Sequence, residues 1–137
     1  MNVRGPLLAA LFALSTAAPG QTSVEPWKAP ARAARKKNPV PADAASIVRG
    51  KLLYRPNCEG CHGTAGRGDG PVAKDLERAP GDLASPTVAA QSDGELFWKI
   101  SEGRKPMPGF DEPLTEEERW HIVNYTRTLS SRSEESP

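Results

Sequence analysis

The sequence is poor in the residues that would build a large core or a membrane span. Its 137 residues include only three Trp, two Tyr and three Phe. The one long apolar run, Pro6–Ala18, is shorter than the roughly 20 residues that a transmembrane helix needs. No segment shows the sustained apolar–polar alternation of a strand. We therefore expect one small all-α domain, whose core is completed by something other than its own side chains.

The N-terminal residues resemble a cleaved secretory signal, which we assign to residues 1–18. Arg4 precedes the apolar run, and the small residues up to Ala18 suit a cleavage site. We expect an exported, periplasmic protein with no transmembrane helix in its mature form, although an uncleaved N-terminal anchor is the alternative. At the other end, residues 131–137 are predicted to form a disordered polar tail.

Residues 19–42 form a segment rich in Pro, Ala and basic residues, which we call the arm. Its prolines exclude a long helix, and five Lys or Arg residues stand against the single Glu25. An exported protein rarely meets nucleic acid, and the arm carries one aromatic residue, Trp27, so no nucleic-acid partner is expected. We expect a solvated tether that faces a partner protein, and the role of Trp27–Lys37 stays open.

Residues 43–130 are predicted to form the folded domain. Its first helix runs from Ala44 to Tyr54 behind the N-cap residue Asp43, and Pro56 is expected to end it. The stretch from Gly63 to Pro86 is dense in Gly and Pro and is predicted to be a loop. So long a loop in so small a domain suggests that it wraps a ligand.

Two capping boxes mark the starts of two further helices. Ser92 and Thr115 are each followed three residues later by Glu, so side chain and backbone can satisfy each other at both positions. Gly103 is expected to close the first of these two helices in the left-handed conformation. The predicted fold therefore has three recognisable helices.

Both cysteines of the chain lie in one motif, Cys58-Glu59-Gly60-Cys61-His62. This C-x-x-C-H spacing is typical of c-type haem attachment. Two thiols three residues apart can each form a thioether with a haem vinyl group, and the adjacent imidazole is then aimed at the iron. We predict one haem c, bound through Cys58 and Cys61, with His62 as an iron ligand.

Other uses of two nearby thiols fit less well. A structural zinc site needs four ligands, and beyond the motif only His121 offers a further imidazole. A thioredoxin-like dithiol would accompany a βαβ pattern, which is missing. A disulfide across two residues would close a strained ring.

Met107 is the predicted second iron ligand. It is the one methionine left once the signal is removed, and prolines on both sides stiffen its loop. His121 and a vacant position are the alternatives. Ligation by His and Met raises the reduction potential and suits electron transfer. We therefore expect an electron carrier and not an enzyme; the alternative is a haem enzyme or gas sensor with a labile sixth ligand.

Four groups of residues have the spacing of a known family. They are Gly50-x-x-x-Tyr54-x-x-x-Cys58-x-x-Cys61-His62-Gly63, then Gly66-x-Gly68-Asp69-Gly70, then Met107-Pro108-x-Phe110, and Arg119-Trp120 with Tyr125-x-Arg127-x-Leu129. Together, from Ser46 to Leu129, they closely resemble the class I cytochrome c domains of bacterial respiratory chains. The resemblance implies a small fold of three to four helices wrapped around one covalently attached haem.

The resemblance also implies particular contacts. The first and last helices should cross closely, with Gly50 giving room for the ring of Tyr125. A proline carbonyl should accept the outer N–H of His62, and Pro80 is a better candidate than Pro71.

The haem propionates would need hydrogen-bond donors, for which Trp98 and Arg67 are candidates. The expected partners are redox proteins, either a membrane respiratory complex or a periplasmic oxidoreductase. We expect a monomer unless the chain is a subunit of such a complex.

Overall fold

The computed structural model describes Met1 and residues 26–134, with side chains as far as Ser131. The helices are α1 (Ala31–Ala34), α2 (Ala44–Asn57), α3 (Glu59–His62), α4 (Pro86–Ala89), α5 (Asp93–Glu102) and α6 (Glu116–Glu134), with a 3-10 turn at Ala73–Asp75. The described residues form no strand beyond one isolated bridge, which confirms the predicted all-α class. The predicted signal, apart from Met1, lies outside the described residues.

Among the described residues, no helix combines the length and the apolar character that a membrane span requires.

Helix α2 begins as predicted but continues further. The Asp43 side chain accepts a hydrogen bond from the Ser46 amide at 2.8 Å, which confirms the N-cap. Pro56 lies inside the helix, so the prediction that it ends there was wrong. Pro56 lacks one N–H in the last turn, but the Cys58 amide still donates to the Tyr54 carbonyl at 2.8 Å. The extra residues carry the helix directly to Cys58.

Both predicted capping boxes are present. The Glu95 amide donates to Ser92 Oγ at 3.2 Å, and the Ser92 amide donates to the Glu95 carboxylate at 2.7 Å. Thr115 and Glu118 exchange the equivalent bonds at the start of α6. Side-chain acceptors therefore bind four backbone amides at the two helix starts, and both starts are fixed locally.

The ends of these helices differ from expectation. Gly103 has the predicted positive φ of 67°, but its ψ of 171° turns the chain away in an extended direction instead of the left-handed helical one. Helix α6 continues to Glu134, so residues 131–134 belong to the helix and not to the predicted tail. Residues 135–137 lie outside the described part of the chain.

Helices α2 and α6 cross in close contact. A β-carbon at Gly50 would overlap the carbonyl oxygen of His121 and lie 2.8 Å from Cβ of Tyr125. The expected crossing is confirmed, but Gly50 makes room for the backbone of α6 and not for the Tyr125 ring. That ring instead packs edge-on against Tyr54, with centroids 5.1 Å apart.

The core is arranged around α6. One cluster joins Tyr54 of α2 to Tyr125 and Leu129.

Two further clusters lie on other sides of α6. In one of them, Trp120 is fully buried and stacks on Phe97 of α5 with ring centroids 4.0 Å apart. The other cluster, formed by Phe110, Leu114 and Ile122, contacts Met107 and Cys58. Helix α6 thus supplies the surface on which the remaining elements are positioned.

The described part of the arm packs on the domain. Asn124 of α6 is buried, and its amide group donates to the carbonyls of Val40 and Pro41, each at 3.2 Å. Its oxygen accepts a hydrogen bond of 2.7 Å from the Asn38 amide. A buried amide needs such partners, and the arm provides them. The expectation of a solvated tether was therefore wrong for this part of the arm.

Gly50→Ala should destabilise the protein by about 3 kcal/mol, because the added methyl group overlaps backbone that cannot rotate away. Chemical denaturation of the purified protein measures the loss. Gly60→Ala is the matched control, since a β-carbon at Gly60 has no atom within 4 Å. Equal stability of the two variants would contradict the close crossing.

Asn124→Ala should cost about 2 kcal/mol of unfolding free energy, because it leaves buried polar groups of the arm without partners. The same denaturation measurement applies. Asn38→Ala removes one of these bonds and should cost less. A smaller loss for Asn124→Ala than for Asn38→Ala would argue that this network does not hold the arm.

Candidate functional site

A cavity of about 320 Å³ opens among α2, α3, α5, α6 and the loops between them. This volume falls within the range of small-molecule and cofactor sites. Its apolar lining residues include Leu76, Leu83, Val88, Leu96, Ile100, Phe110 and Ile122. The four predicted site residues, Cys58, Cys61, His62 and Met107, all line this one cavity.

The two thiols are held at the junction of α2 and α3. Cys58 lies between α2 and α3 as the capping residue of both, and Cys61 lies in the single turn of α3. Both cysteines are free and partly buried. Residues three apart lie on the same side of a helical turn, so both side chains can reach one ligand.

Burial disfavours the charged form of Cys58. The pKa of its thiol is raised to about 12, chiefly by desolvation and secondarily by Cys61. A reactive dithiol needs an accessible thiolate near neutral pH. The described residues also contain no group of three or more His, Cys, Asp or Glu side chains placed to hold a metal ion. The zinc and dithiol alternatives therefore gain no support here.

The His62 ring is oriented by a carbonyl oxygen. Its Nδ1 lies 3.0 Å from the carbonyl oxygen of Gly81, so the prediction of Pro80 or Pro71 as acceptor was wrong. The Pro80 carbonyl faces Gly68 instead, where a β-carbon would lie 2.6 Å from its oxygen. Gly68 has a φ of 77°, which lets the two backbone segments approach.

This hydrogen bond determines which His62 nitrogen can ligate a metal. A carbonyl only accepts, so Nδ1 carries the proton and Nε2 of the neutral ring keeps its lone pair. Burial lowers the pKa of His62, while the bond to Gly81 opposes that shift. The ring is therefore held neutral, with the Nε2 lone pair available to a ligand in the cavity.

The loop that follows His62 is tied back to the attachment motif. The Gly68 amide donates to the His62 carbonyl at 2.8 Å, and the Gly70 amide donates to the Cys61 carbonyl at 3.1 Å. The buried Tyr54 hydroxyl donates to the Gly63 carbonyl at 2.7 Å. The predicted loop is thus ordered by bonds to α2 and α3.

Met107 is presented by a tight turn. The Arg104 and Met107 backbones exchange hydrogen bonds of 3.0 and 2.9 Å, and the Phe110 amide donates to the Ile100 carbonyl at 3.0 Å. These bonds connect the turn to the end of α5. The Met107 side chain packs against the cluster of Phe110, Leu114 and Ile122.

Several other candidates lie away from the cavity. The Nδ1 atom of His121 is 2.8 Å from Ser46 Oγ between α2 and α6, and His121 does not line the cavity. Trp98 and Arg67 do not line it either, so the expectation that they reach haem propionates gains no support. His121 is therefore a packing residue at the helix crossing.

Residues that the sequence did not single out also line the cavity. Three of them are cationic, namely Arg78, Lys99 and Arg104, and none of the lining residues is Asp or Glu. Burial lowers the pKa of Lys99, and the charge of Arg104 lowers it further, although Glu95 opposes the shift. Trp27 of the arm also lines the cavity and lies beside Lys99 and Arg104. An apolar cavity with a cationic side suits a flat apolar ligand that carries carboxylates.

A protein-family model and known proteins share this combination of fold and motif. The family model described as cytochrome c oxidase, cbb3-type, subunit III matches residues 45–125. The chain belongs to this family and is a c-type cytochrome domain with an electron-transfer function. C-type cytochromes bind haem covalently, and the two cysteines are the number that one haem uses.

Individual relatives agree with this assignment. The cytochrome c subunit of the cytochrome bc1 complex of Corynebacterium diphtheriae is 30% identical over 91 residues, which is 63% of this chain and 28% of that protein. The chain therefore spans less than a third of this relative.

Solved structures share the fold. The reducing HAO-like protein complex Kustc0457/Kustc0458 of Kuenenia stuttgartiensis matches with a TM-score of 0.62 and 30% identity, over 66% of this chain and 46% of that one. The KustC0563 c-type cytochrome matches with a TM-score of 0.51 and 30% identity, over 58% and 95%.

Tyr54→Phe should lower the free energy of unfolding by about 1–2 kcal/mol, because the buried Gly63 carbonyl loses its hydrogen bond. Denaturation monitored by circular dichroism measures the change. Covalent haem content should stay at the wild-type level, since no attachment residue is altered. An unchanged midpoint would show that this bond does not hold the loop.

Proposed function

We propose that this chain is a periplasmic one-electron carrier, or the cytochrome subunit of a respiratory oxidoreductase. In this proposal Cys58 and Cys61 hold one haem c through thioethers, and His62 and Met107 ligate its iron. The observation that carries the proposal is the meeting of these four side chains in one cavity.

The chemistry of each residue supports its role. The Nδ1–H of His62 is taken by Gly81, which leaves Nε2 to donate to iron. Met107 offers a soft thioether from a turn bonded to α5. Bound haem would supply a reversible one-electron couple. Ligation of its iron by His and Met raises the reduction potential of that couple.

The protein contributes an apolar, preorganised surrounding. Leu96, Ile100 and Ile122 give the cavity an apolar lining. His62 lies in α3, and the turn that carries Met107 is bonded to α5. Both segments should therefore rearrange little when the haem gains or loses an electron. Electron transfer requires no acid, base or nucleophile, and we assign no catalytic residue.

The relatives support redox proteins as partners. One is a subunit of a cytochrome bc1 complex and another belongs to an HAO-like complex. We propose a membrane respiratory complex or a periplasmic oxidoreductase as the partner of this chain, which would act after export and removal of the signal near Ala18.

The covalent attachment is tested by visible spectra taken after acidic organic extraction, which strips haem that is not covalently bound. The exported wild-type protein should keep its colour, and Cys58→Ala or Cys61→Ala should weaken retention because one thioether is lost. Complete loss of colour from the wild-type protein would contradict the proposed haem attachment.

The ligand assignment predicts that Met107→Ala gives a folded, high-spin protein that binds carbon monoxide when reduced, because the iron loses its sixth ligand. The weak far-red absorption of the iron–sulfur bond should disappear. His121→Ala is the matched control and should keep the wild-type spectrum, since His121 contacts Ser46 and not the cavity. If the wild-type protein itself binds carbon monoxide readily, the alternative of a gas-binding or enzymatic haem would replace this assignment.

A further inference from the structure

The arm reaches the cavity through Trp27. This residue is partly buried and lines the same cavity as Cys58, His62 and Met107. It precedes residues 45–125, the part of the chain that the family model matches. The cavity wall therefore includes a residue from outside the matched domain.

Trp27 is surrounded by aromatic and cationic side chains. Its ring centroid lies 6.3 Å from that of Trp98. Lys99 Nζ is 5.5 Å from the Trp27 ring centroid, and Arg104 Cζ is 5.0 Å from it. Cations at such distances from an indole face are attracted to it, so Trp27 joins the end of α5 to the turn that presents Met107.

The following residues anchor the arm near this position. Ser92 Oγ donates to the Ala34 carbonyl at 2.8 Å, and a β-carbon at Gly94 would overlap the Ala33 carbonyl. Lys36 pairs with Glu116 at 2.7 Å. Helix α1 therefore packs directly on α5. Trp27 lies only a few residues before α1, so these contacts also keep Trp27 near α5.

We propose that Trp27 is a wall of the haem cavity, supplied by the arm, which keeps water from the haem edge and so raises the reduction potential. The inference rests on the proposed function, because it takes the cavity to hold haem. The arm, whose role the sequence leaves open, would then help to set the reduction potential.

The expected effect on the potential follows from the free energy of placing a charge where water is excluded. Oxidation adds a positive charge at the iron, and a drier surrounding disfavours that charge. Lys99 and Arg104 act in the same direction, because neighbouring cations also disfavour the oxidised form. Removal of the Trp27 ring would admit water and screen both effects.

The experiment compares the holo wild-type protein with Trp27→Ala, Trp27→Phe and Lys28→Ala. Redox titration gives the potential, and stopped-flow mixing with imidazole gives the rate at which an external ligand replaces the methionine. Lys28→Ala is the control, since Lys28 is an exposed residue of the arm that does not line the cavity. Thermal unfolding reports stability separately.

Trp27→Ala should have a lower potential and should bind imidazole about tenfold faster, since the two cation–π contacts that join α5 to the Met107 turn are lost. Trp27→Phe should restore most of both properties because it keeps an aromatic ring. Lys28→Ala should match the wild type. If Trp27→Ala is not recovered folded, Trp27→Leu should show the same changes to a smaller extent.

A Trp27→Ala or Trp27→Leu protein with the potential and imidazole rate of Lys28→Ala would overturn the inference, even if its thermal stability fell. That result would leave the proposed function intact as long as the wild type retains covalent haem. A wild-type protein without covalent haem would overturn both together.

Discussion

The close crossing of α2 and α6 at Gly50 is the constraint on which the rest of the structure depends. Because Gly50 has no side chain, the two helices approach until backbone touches backbone. The approach brings Tyr54 against Tyr125 and carries α2 on to Cys58. The attachment motif is therefore positioned by a contact two helical turns away from it.

Backbone hydrogen bonding converts this scaffold into a site. The loop after His62 has little regular structure, yet its amides and carbonyls bond to α3, to Tyr54 and to the His62 ring. Met107 receives similar support from the end of α5. Main-chain hydrogen bonds thus hold both segments that carry the proposed iron ligands. They limit how far these two side chains can move if the charge of the site changes.

The arm extends the domain beyond its family pattern. The Asn124 side chain binds the backbone of the arm. Trp27 reaches the cavity beside Lys99 and Arg104. A basic residue of the arm also contacts the domain, since Lys36 pairs with Glu116. The described part of a segment that looks like a linker by composition therefore contributes to the wall of the cavity.

What the sequence determined by itself was local. The spacing of Cys58, Cys61 and His62 and the capping boxes at Ser92 and Thr115 each involve residues within one helical turn, so their chemistry can be recognised without a fold. The tertiary structure decided the contacts between distant segments: the Gly81 carbonyl at His62, the backbone of α6 at Gly50, and Trp27 at the cavity. Main-chain carbonyls have no residue signature, and long-range packing depends on how the whole chain folds, so neither can be read from local spacing.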